Sequence, residues 1–594
     1  TANLMTDAPP GGANSAAVRN LADRLPDSGR LSADEALETF LEWLDDSGLS
    51  LYPAQEEAIL EVMADRHVVL ATPTGSGKSL VAMAQHFLAL SGGERSFYTS
   101  PIKALVSEKF FALCEALGPE SVGMMTGDAS INRDAAVICC TAEILANMAL
   151  RQGRHAPVDR VVMDEFHYYG DRDRGMAWQV PLLVLKDTKF LLMSATLGDT
   201  TAIVRSLVSN IGGPVSEVRS SDRPVPLDFQ YSEIPIHAAI EKLIDVDRAP
   251  IYLVNSTQRD AAEQAQNLMS AKLVDKPQRQ AIATAIGQFA FDSAYGKVVE
   301  KALRHGVGIH HAGLLPKYRR LVERLAQAGL LRVISGTDTL GVGINVPIRS
   351  VLLSKLCKFD GEQVRLLSVR EFQQVSGRAG RKGFDDHGYV VVQAPEHVIE
   401  NVRLAAKAAG TGKPGGKKKF VRRKPPQRGF VPWTERTFDR LVAGTAEPLQ
   451  SVFRLDHGTL MTMLHHDDGP TAGLRALVTL VGQSHERPAI KRRLRSELAA
   501  LFRSLRGADV VIVQRREDGR GSEVVLAEEL QRSFSLHHSL SLYLVEALEL
   551  LDSQGEERAL DVVLLVESIL ENPRVVLGAQ TRREKGLLIA QYKA

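Results

Sequence analysis

The stretch Ala71-Thr-Pro-Thr-Gly-Ser-Gly-Lys78-Ser79 brings glycines, hydroxyls and one lysine together in the spacing of a phosphate-binding loop. Apolar His67-Val-Val-Leu70 precedes it and an apolar-periodic run, Leu80 to Leu90, follows, so the loop joins a buried strand to a helix. Gly75 and Gly77 let the backbone turn its N–H groups inward around phosphates, with Thr74 and Ser76 completing the turn. The helix N-terminus behind them adds its positive dipole end. Lys78 would reach the outer phosphates, and the Ser79 hydroxyl would ligate Mg²⁺. Ala71 stands where the pattern asks for glycine.

Two further clusters suit the same chemistry. Asp164-Glu165 closes the run Arg160 to Met163. Asp164 would hold the metal through water, and Glu165 would position and deprotonate an attacking water. An acidic turn after a strand is the bland alternative. Gln374-Val-Ser-Gly-Arg378-Ala-Gly-Arg381 offers two arginines, either a basic helix start or charges presented across a cleft to a γ-phosphate. The second role is worth ~10³–10⁵ in rate. Gln55, 23 residues before Lys78, has an amide edge that matches adenine, though an exposed glutamine at a helix start reads the same way.

Positioning these groups takes a sheet. Ser96–Ser100, Val122–Asp128, Ala136–Leu145, Arg160–His167 and Phe190–Thr196 each read as a strand running into a polar turn. Amphipathic helices between them mean a parallel sheet covered on both faces. The polar clusters then fall at the strands' carboxyl ends, where such sheets bind ligands. Past Pro224-Val-Pro226 the pattern begins again, with a strand at Ala249–Ser256 and a helical stretch from Thr257 to about Leu303. Strand–loop units follow at Val307–Gly313 and Leu331–Asn345. Ser350–Leu356 and Gln363–Leu367 flank Lys358-Phe-Asp-Gly361, a hairpin signal. His310-His311 has no carboxylate or cysteine at ligand spacing, which sets zinc aside. Near the start, Ser32-Ala-Asp-Glu35 reads as a capping box opening a helix with Leu37, Phe40, Leu41 and Leu44 on one face.

At 594 residues the chain exceeds the ~250–300 that one core serves, so several domains are expected. Its 44% hydrophobic and 24% charged residues are those of an ordinary globular protein. With 72 basic against 71 acidic residues, any nucleic-acid binding must come from local patches. The four cysteines show no C-x-x-C spacing, which points to buried small residues in a reduced, cytoplasmic compartment. No run approaches the ~18 apolar residues of a membrane span, and no leader opens the chain. Met5 could be the native start, and the last stretch, Glu584–Lys593, reads as a helix that the natural protein could continue.

Together the motifs resemble superfamily-two helicases of the DExH type, and among them the Ski-like (superkiller and exosome-associated) branch, over roughly Gln55 to Val392. Thr99–Leu105 is similar to that branch's motif Ia, and Met163–Gly175 to its motif II with the trailing segment. Gly308–Pro316, Thr337–Pro347 and Lys358–Arg381 are similar to its second domain. The resemblance implies an α/β fold with two tandem RecA-like parallel-sheet domains, residues 31–224 and 225–400, closing over ATP and Mg²⁺. It further implies a winged-helix module at 441–533 and a helical bundle at 534–594, with a disordered tail at 1–30 and a basic linker at 401–440. By motif, Lys78, Ser79, Asp164, Glu165, Gln374, Arg378 and Arg381 would form the ATPase site, with Gly343 beside the nucleotide. Pro101, Lys103, Gly127, Thr141, Gly313 and Thr337 would touch the nucleic-acid backbone. The hairpin tip would separate strands, Phe359 being either its wedge or a residue pinned into the core beneath the turn. Two departures stand out: the family's adenine-stacking aromatic falls at Leu49, with Tyr52 as a substitute, and the long arch-like insertion has no room.

Between Lys413 and Arg428 lie eight basic residues and no acid, suited to tracking a phosphate backbone or to a solvated tether. Val510–Gln514 and Glu523–Leu526 read as a wing, and Leu536–Leu551 and Leu560–Leu570 as helices. Three functions compete. The leading one is a monomeric ATP-driven RNA helicase moving 3′→5′ on single-stranded RNA or a 3′-tailed duplex. A DNA helicase of the related repair branch shares every ATPase motif. An ATP-gated clamp is the third, and a dead enzyme would be expected to have lost Glu165 or an arginine.

Overall fold

The computed structural model describes residues 20–26, 30–337, 346–360, 363–380, 383, 385–410, 421–426, 430–516, 521–527, 541–552, 555, 557–570, 581 and 584–585. Arg381, Gly343 and Gly361 lie outside them, as does most of the basic stretch 413–428.

The first sheet has eight strands: β1 (His67–Ala71), β2 (Ser96–Ser100), β3 (Val122–Met125), β4 (Ser130–Ile131), β5 (Val137–Thr141), β6 (Arg160–Met163), β7 (Lys189–Ser194) and β8 (Val215–Arg219). Their order is β4-β3-β5-β2-β6-β7-β1-β8. All neighbours run parallel except β3 and β4. Every residue of β2, β5 and β6 is buried, which accounts for the unbroken apolar runs in the sequence. Cys139 and Cys140 belong to β5, where burial pushes both thiols up.

The second sheet repeats the plan with β9 (Leu227–Ser232), β10 (Ile251–Asn255), β11 (Val307–His310), β12 (Val333–Thr337) and β13 (Ser350–Leu353). After β13 the chain forms an antiparallel hairpin of β14 (Cys357–Phe359) and β15 (Val364–Leu366), then returns as β16 (Gly388–Gln393). The order is β11-β12-β10-β13-β16-β9, with every pair parallel. The run Ser350–Leu356 is therefore split, its first part joining the sheet and the hairpin arising only at Cys357. The helical stretch after β10 is three helices, Gln258–Leu268, Lys276–Ile286 and Ala294–Arg304. Side-chain caps from Asp275 and Ser293 restart the second and third.

Two expectations about connecting segments change. Within the expected tail, Leu21–Arg24 forms a 3-10 turn whose Leu21 is fully buried in the first core. The capping box at Ser32 and Glu35 is present, and its helix buries Phe40 and Leu44 in the same core. The expected linker 401–440 is helical at its start, Glu396–Gly410, and packed near its end. Trp433, Phe438 and Leu441 are buried in the second core, and the Trp433 indole donates to the Gln393 carbonyl at 3.0 Å. Burying three large apolar side chains offsets part of the cost of ordering that stretch.

The chain divides into two compact units, and both sheets belong to the first: Thr1–Leu145, Pro157–Asp171 and Lys186–Gln450. The second comprises Ala146–Ala156, Arg172–Leu185 and Ser451–Ala594. In it the helices His457–Leu464, Pro470–Gln483 and Pro488–Gly507 pack on one another. An antiparallel hairpin, β17 (Val511–Arg515) with β18 (Ser522–Leu526), lies against the last two. The helix Gly175–Val184 also belongs here, with Trp178 fully buried and Gln179 donating to Ser451 Oγ at 2.7 Å. The helices Ser541–Glu549 and Arg558–Leu570 pack on each other. Among the described residues, no helix is long and apolar enough to cross a membrane.

Candidate active site

Ala71 is the last residue of β1, and the phosphate loop turns on Gly75 (φ 85°) and Gly77 (φ 73°). Gly77 is constrained twice, because a Cβ there would stand 2.3 Å from Gln55 Nε2. That amide donates to the Gly77 carbonyl at 2.8 Å, while Gln55 Oε1 accepts the Tyr52 N–H at 2.8 Å. The glutamine expected to read adenine thus ties the start of the helix Pro53–Met63 to the loop. Thr72 and Ser76 hydroxyls pair across the turn at 2.7 Å. Lys78 folds back onto the loop, donating to the Thr72 and Pro73 carbonyls at 2.8 and 2.9 Å. Burial pulls its ammonium pKa down, opposed by the charges of Glu165 and Asp164.

Asp164 and Glu165 follow β6. Asp164 accepts the Tyr98 hydroxyl on one oxygen and the Glu165 N–H at 3.0 Å on the other. Burial and the neighbouring Glu165 charge push its carboxyl up. Burial would push Glu165 up as well, but the His167 hydrogen bond and charge together with the charges of Arg378 and Lys78 outweigh it and hold that carboxyl well below the usual range. His167 Nδ1 lies 3.2 Å from Glu165 Oε2 and 3.0 Å from Ser194 Oγ. Glu165 adopts φ 54°, a left-handed backbone that a non-glycine residue holds only under tertiary constraint.

The fit to a divalent cation rests on Lys109, which the sequence did not single out. Its ammonium donates to Ser79 Oγ at 3.0 Å and its charge acts on Asp164. The hydroxyl expected to hold Mg²⁺ therefore already faces a cation, the same charge favours the ionised Asp164 carboxyl, and both are hard oxygen donors.

The second sheet meets this loop through the helix Val369–Ser376 and the turn after it. Gln374 Nε2 donates to Thr196 Oγ1, beyond β7, at 3.3 Å. Arg223 donates to the carbonyls of Gly377 and Ala379 at 3.3 and 3.1 Å. Arg378 acts electrostatically on both Glu165 and Lys78. A cavity of about 620 Å³ opens beside these groups, lined among others by Thr74, Glu165, Thr196, Gln374, Arg378 and Phe359.

A strap ending at Gln450 braces that helix. The Glu447 carboxylate accepts the Val369 and Arg370 N–H groups at 2.8 and 3.2 Å, and Gln373 donates to the Gly444 carbonyl at 2.9 Å. On the other side the strap crosses Gly198 (φ 66°), where a Cβ would stand 2.5 Å from the Ala446 carbonyl oxygen. One short segment thus touches the turn after β7 and the helix carrying Gln374. Nothing in its composition signals this.

The residues expected against nucleic acid lie at or just past strand carboxyl ends. Pro101 follows β2, Gly127 follows β3 and Thr141 ends β5. Lys103 begins the next helix and pairs with Asp128 at 2.8 Å. In the second sheet Gly313 follows β11 and Thr337 ends β12. Phe359 ends β14 and is 57% exposed, so it is not pinned beneath the turn. Lys358 anchors the hairpin base to Glu371 at 2.7 Å, and Arg365 does so at 2.8 Å. His310 has a carboxylate partner after all, Glu323 at 2.9 Å, thirteen residues on and reached only through the fold.

Residues 52–203 match the DEAD/DEAH box helicase family model, and residues 394–594 match a domain of unknown function, DUF3516. The chain therefore carries a DEAD/DEAH box helicase domain, built on the first sheet. Its relatives are helicases of the expected DExH type. It is 29% identical over 419 residues to the ATP-dependent RNA helicase mtr4 of Schizosaccharomyces pombe, covering 58% of this chain and 37% of the relative. It is 30% identical over 410 residues to the probable helicase HelY of Mycobacterium tuberculosis, covering 58% and 45%. To the exosome RNA helicase MTR4 of Homo sapiens it is 27% identical over 472 residues, covering 70% and 42%. The chain spans less than half the length of each of these relatives.

Proposed function

We propose that this protein is an ATP-dependent RNA helicase of the DExH type that moves 3′→5′ along single-stranded RNA. The observation that carries the reading is the meeting of both sheets at one phosphate loop, with Gln374 on Thr196 and Arg378 acting on Glu165. Nucleotide binding would draw on the inward-turned loop and Lys78, which would exchange the loop's own carbonyls for phosphate oxygens. Ser79 and Asp164 would hold Mg²⁺, which neutralises charge on the transferred phosphoryl group. Glu165, ionised and oriented by His167, would position the attacking water. Arg378 would stabilise charge developing on the γ-phosphate. RNA rather than DNA is favoured by the relatives named as RNA helicases and by the motif II trailing segment. ATP turnover stimulated by RNA and DNA single strands of matched sequence tests the reading. RNA is expected to stimulate at least ~10-fold more, about 1.4 kcal/mol. Stronger stimulation by DNA would move the protein to the DNA branch, equal stimulation would overturn the RNA preference, and no stimulation by either would rule out a translocase.

Exposed Phe359 adds a second test. Phe359→Ser trims one wall of the cavity but leaves the phosphate loop's hydrogen bonds and the Lys358–Glu371 anchor in place. Opening a base-pair step costs ~1–2 kcal/mol, so losing an apolar wedge should hinder strand separation but not hydrolysis. Unwinding of a 3′-tailed duplex is expected to fall at least ~10-fold, with strand-stimulated ATP turnover within about twofold of wild type. Parallel loss of both would make the hairpin a structural element.

A further inference from the structure

The helix Pro488–Gly507 carries six basic residues, Lys491, Arg492, Arg493, Arg495, Arg503 and Arg506, against one acid, Glu497. Its buried side chains, Leu494, Leu498 and Leu505, define the face turned to the core. Arg492, Arg495, Arg503 and Arg506 are all exposed. With Ala499 between them they recur at intervals of three, four, four and three, so they form one stripe along an exposed flank of the helix, where the Arg495 guanidinium lies beside Gly482 of the preceding helix. At 1.5 Å per residue that stripe is about 21 Å long. Glu497 lies on the far side of the helix from it, and none of the four arginines pairs with a carboxylate among the described residues.

The position of this helix matters as much as its charge. It follows the helix Pro470–Gln483 after a four-residue turn, Ser484–Arg487, and the β17–β18 hairpin comes next. The second helix of such a pair, backed by a wing, is the element that enters a groove of a duplex. Arg515 and Arg516, also exposed, extend the charge onto the hairpin.

We infer that the second unit binds double-stranded nucleic acid by its phosphate backbone through the stripe Arg492–Arg495–Arg503–Arg506. A single strand would ask for aromatic side chains on which bases stack, and this flank of the helix offers none; Phe502 is half-buried. An acidic protein would ask for an apolar centre, and Ala499 is the one apolar side chain within the stripe. A row of guanidinium groups carried on one helix suits regularly spaced phosphates. The surface lies in the second unit and goes beyond the proposed translocation path.

The test is binding of a blunt-ended RNA duplex and its DNA counterpart to the full chain without ATP, so failure here leaves the ATPase reading standing. Anisotropy is measured across a salt series for wild type and for the variant Arg492→Gln/Arg495→Gln/Arg503→Gln/Arg506→Gln. The variant is expected to bind the duplex at least ~10-fold more weakly, with a salt slope shallower by ~3–4, about 0.9 per lost phosphate contact. ATP turnover stimulated by a single strand should stay within about twofold. Lysine at the same four positions should restore most of the slope. Unchanged duplex affinity and slope would overturn the inference and leave the stripe to an acidic protein or to solvent. Loss confined to single strands would overturn it too, placing the stripe on the translocation path. Failure of the lysine variant to restore the slope would trace the loss to misfolding and equally overturn it.

Discussion

Glu165→Gln is expected to leave ATP binding intact while cutting hydrolysis by ~10²–10⁴, the usual worth of a positioned acid–base group. The amide keeps the shape of the carboxylate, and Asp164 keeps its tie to Tyr98. What disappears is the negative charge that His167, Arg378 and Lys78 stabilise. A water held by glutamine meets a weaker acceptor at the moment its proton must leave. The left-handed backbone at Glu165 tolerates glutamine no worse than glutamate, so the thermal midpoint should not move. Nucleotide affinity is read with a non-hydrolysable analogue and turnover by phosphate release. Turnover within threefold of wild type would remove Glu165 from the chemistry.

Arg378→Ala is expected to reduce nucleic-acid-stimulated turnover by ~10³ or more, the lower end of what an arginine facing a γ-phosphate contributes. Its guanidinium follows the helix whose start is braced by Glu447, and it acts on Glu165 and Lys78 in the opposite wall. An arginine that stabilises only developing charge should affect turnover far more than affinity. Arg378→Lys should recover part of the rate, since it keeps the charge but not the planar fork. Equal losses of thermal stability and of turnover would assign the residue to the framework. The same would follow if nucleotide affinity fell as steeply as the rate.

Much of the site was legible because its requirements are local. A loop that turns on Gly75 and Gly77 between a buried strand and a helix states its geometry within nine residues, and the structure follows that pattern. The alternation of apolar runs with amphipathic stretches was enough to call two parallel sheets. Segments of mixed composition were harder, because their fate depends on what they can reach. Leu21 and Trp433 sit in stretches that read as tail and linker, yet each fills a core whose walls come from residues far along the chain.

By itself, then, the amino-acid sequence determined the DExH kinship and named the phosphate-loop, Asp164-Glu165 and arginine candidates, since contiguous residues carry all of these. Tertiary structure alone decided who holds whom. Tyr98 on Asp164, Lys109 on Ser79, Gln374 on Thr196 and Glu447 on the helix at Val369 are contacts between residues 30 to 178 positions apart. It also decided that Phe359 stands in solvent and that four arginines share one exposed flank. Hydrogen bonds and ion pairs act over a few ångströms, whereas the order of strands in a sheet is set by burying apolar area across the whole chain. A neighbour in space therefore leaves no mark on the local pattern of either partner.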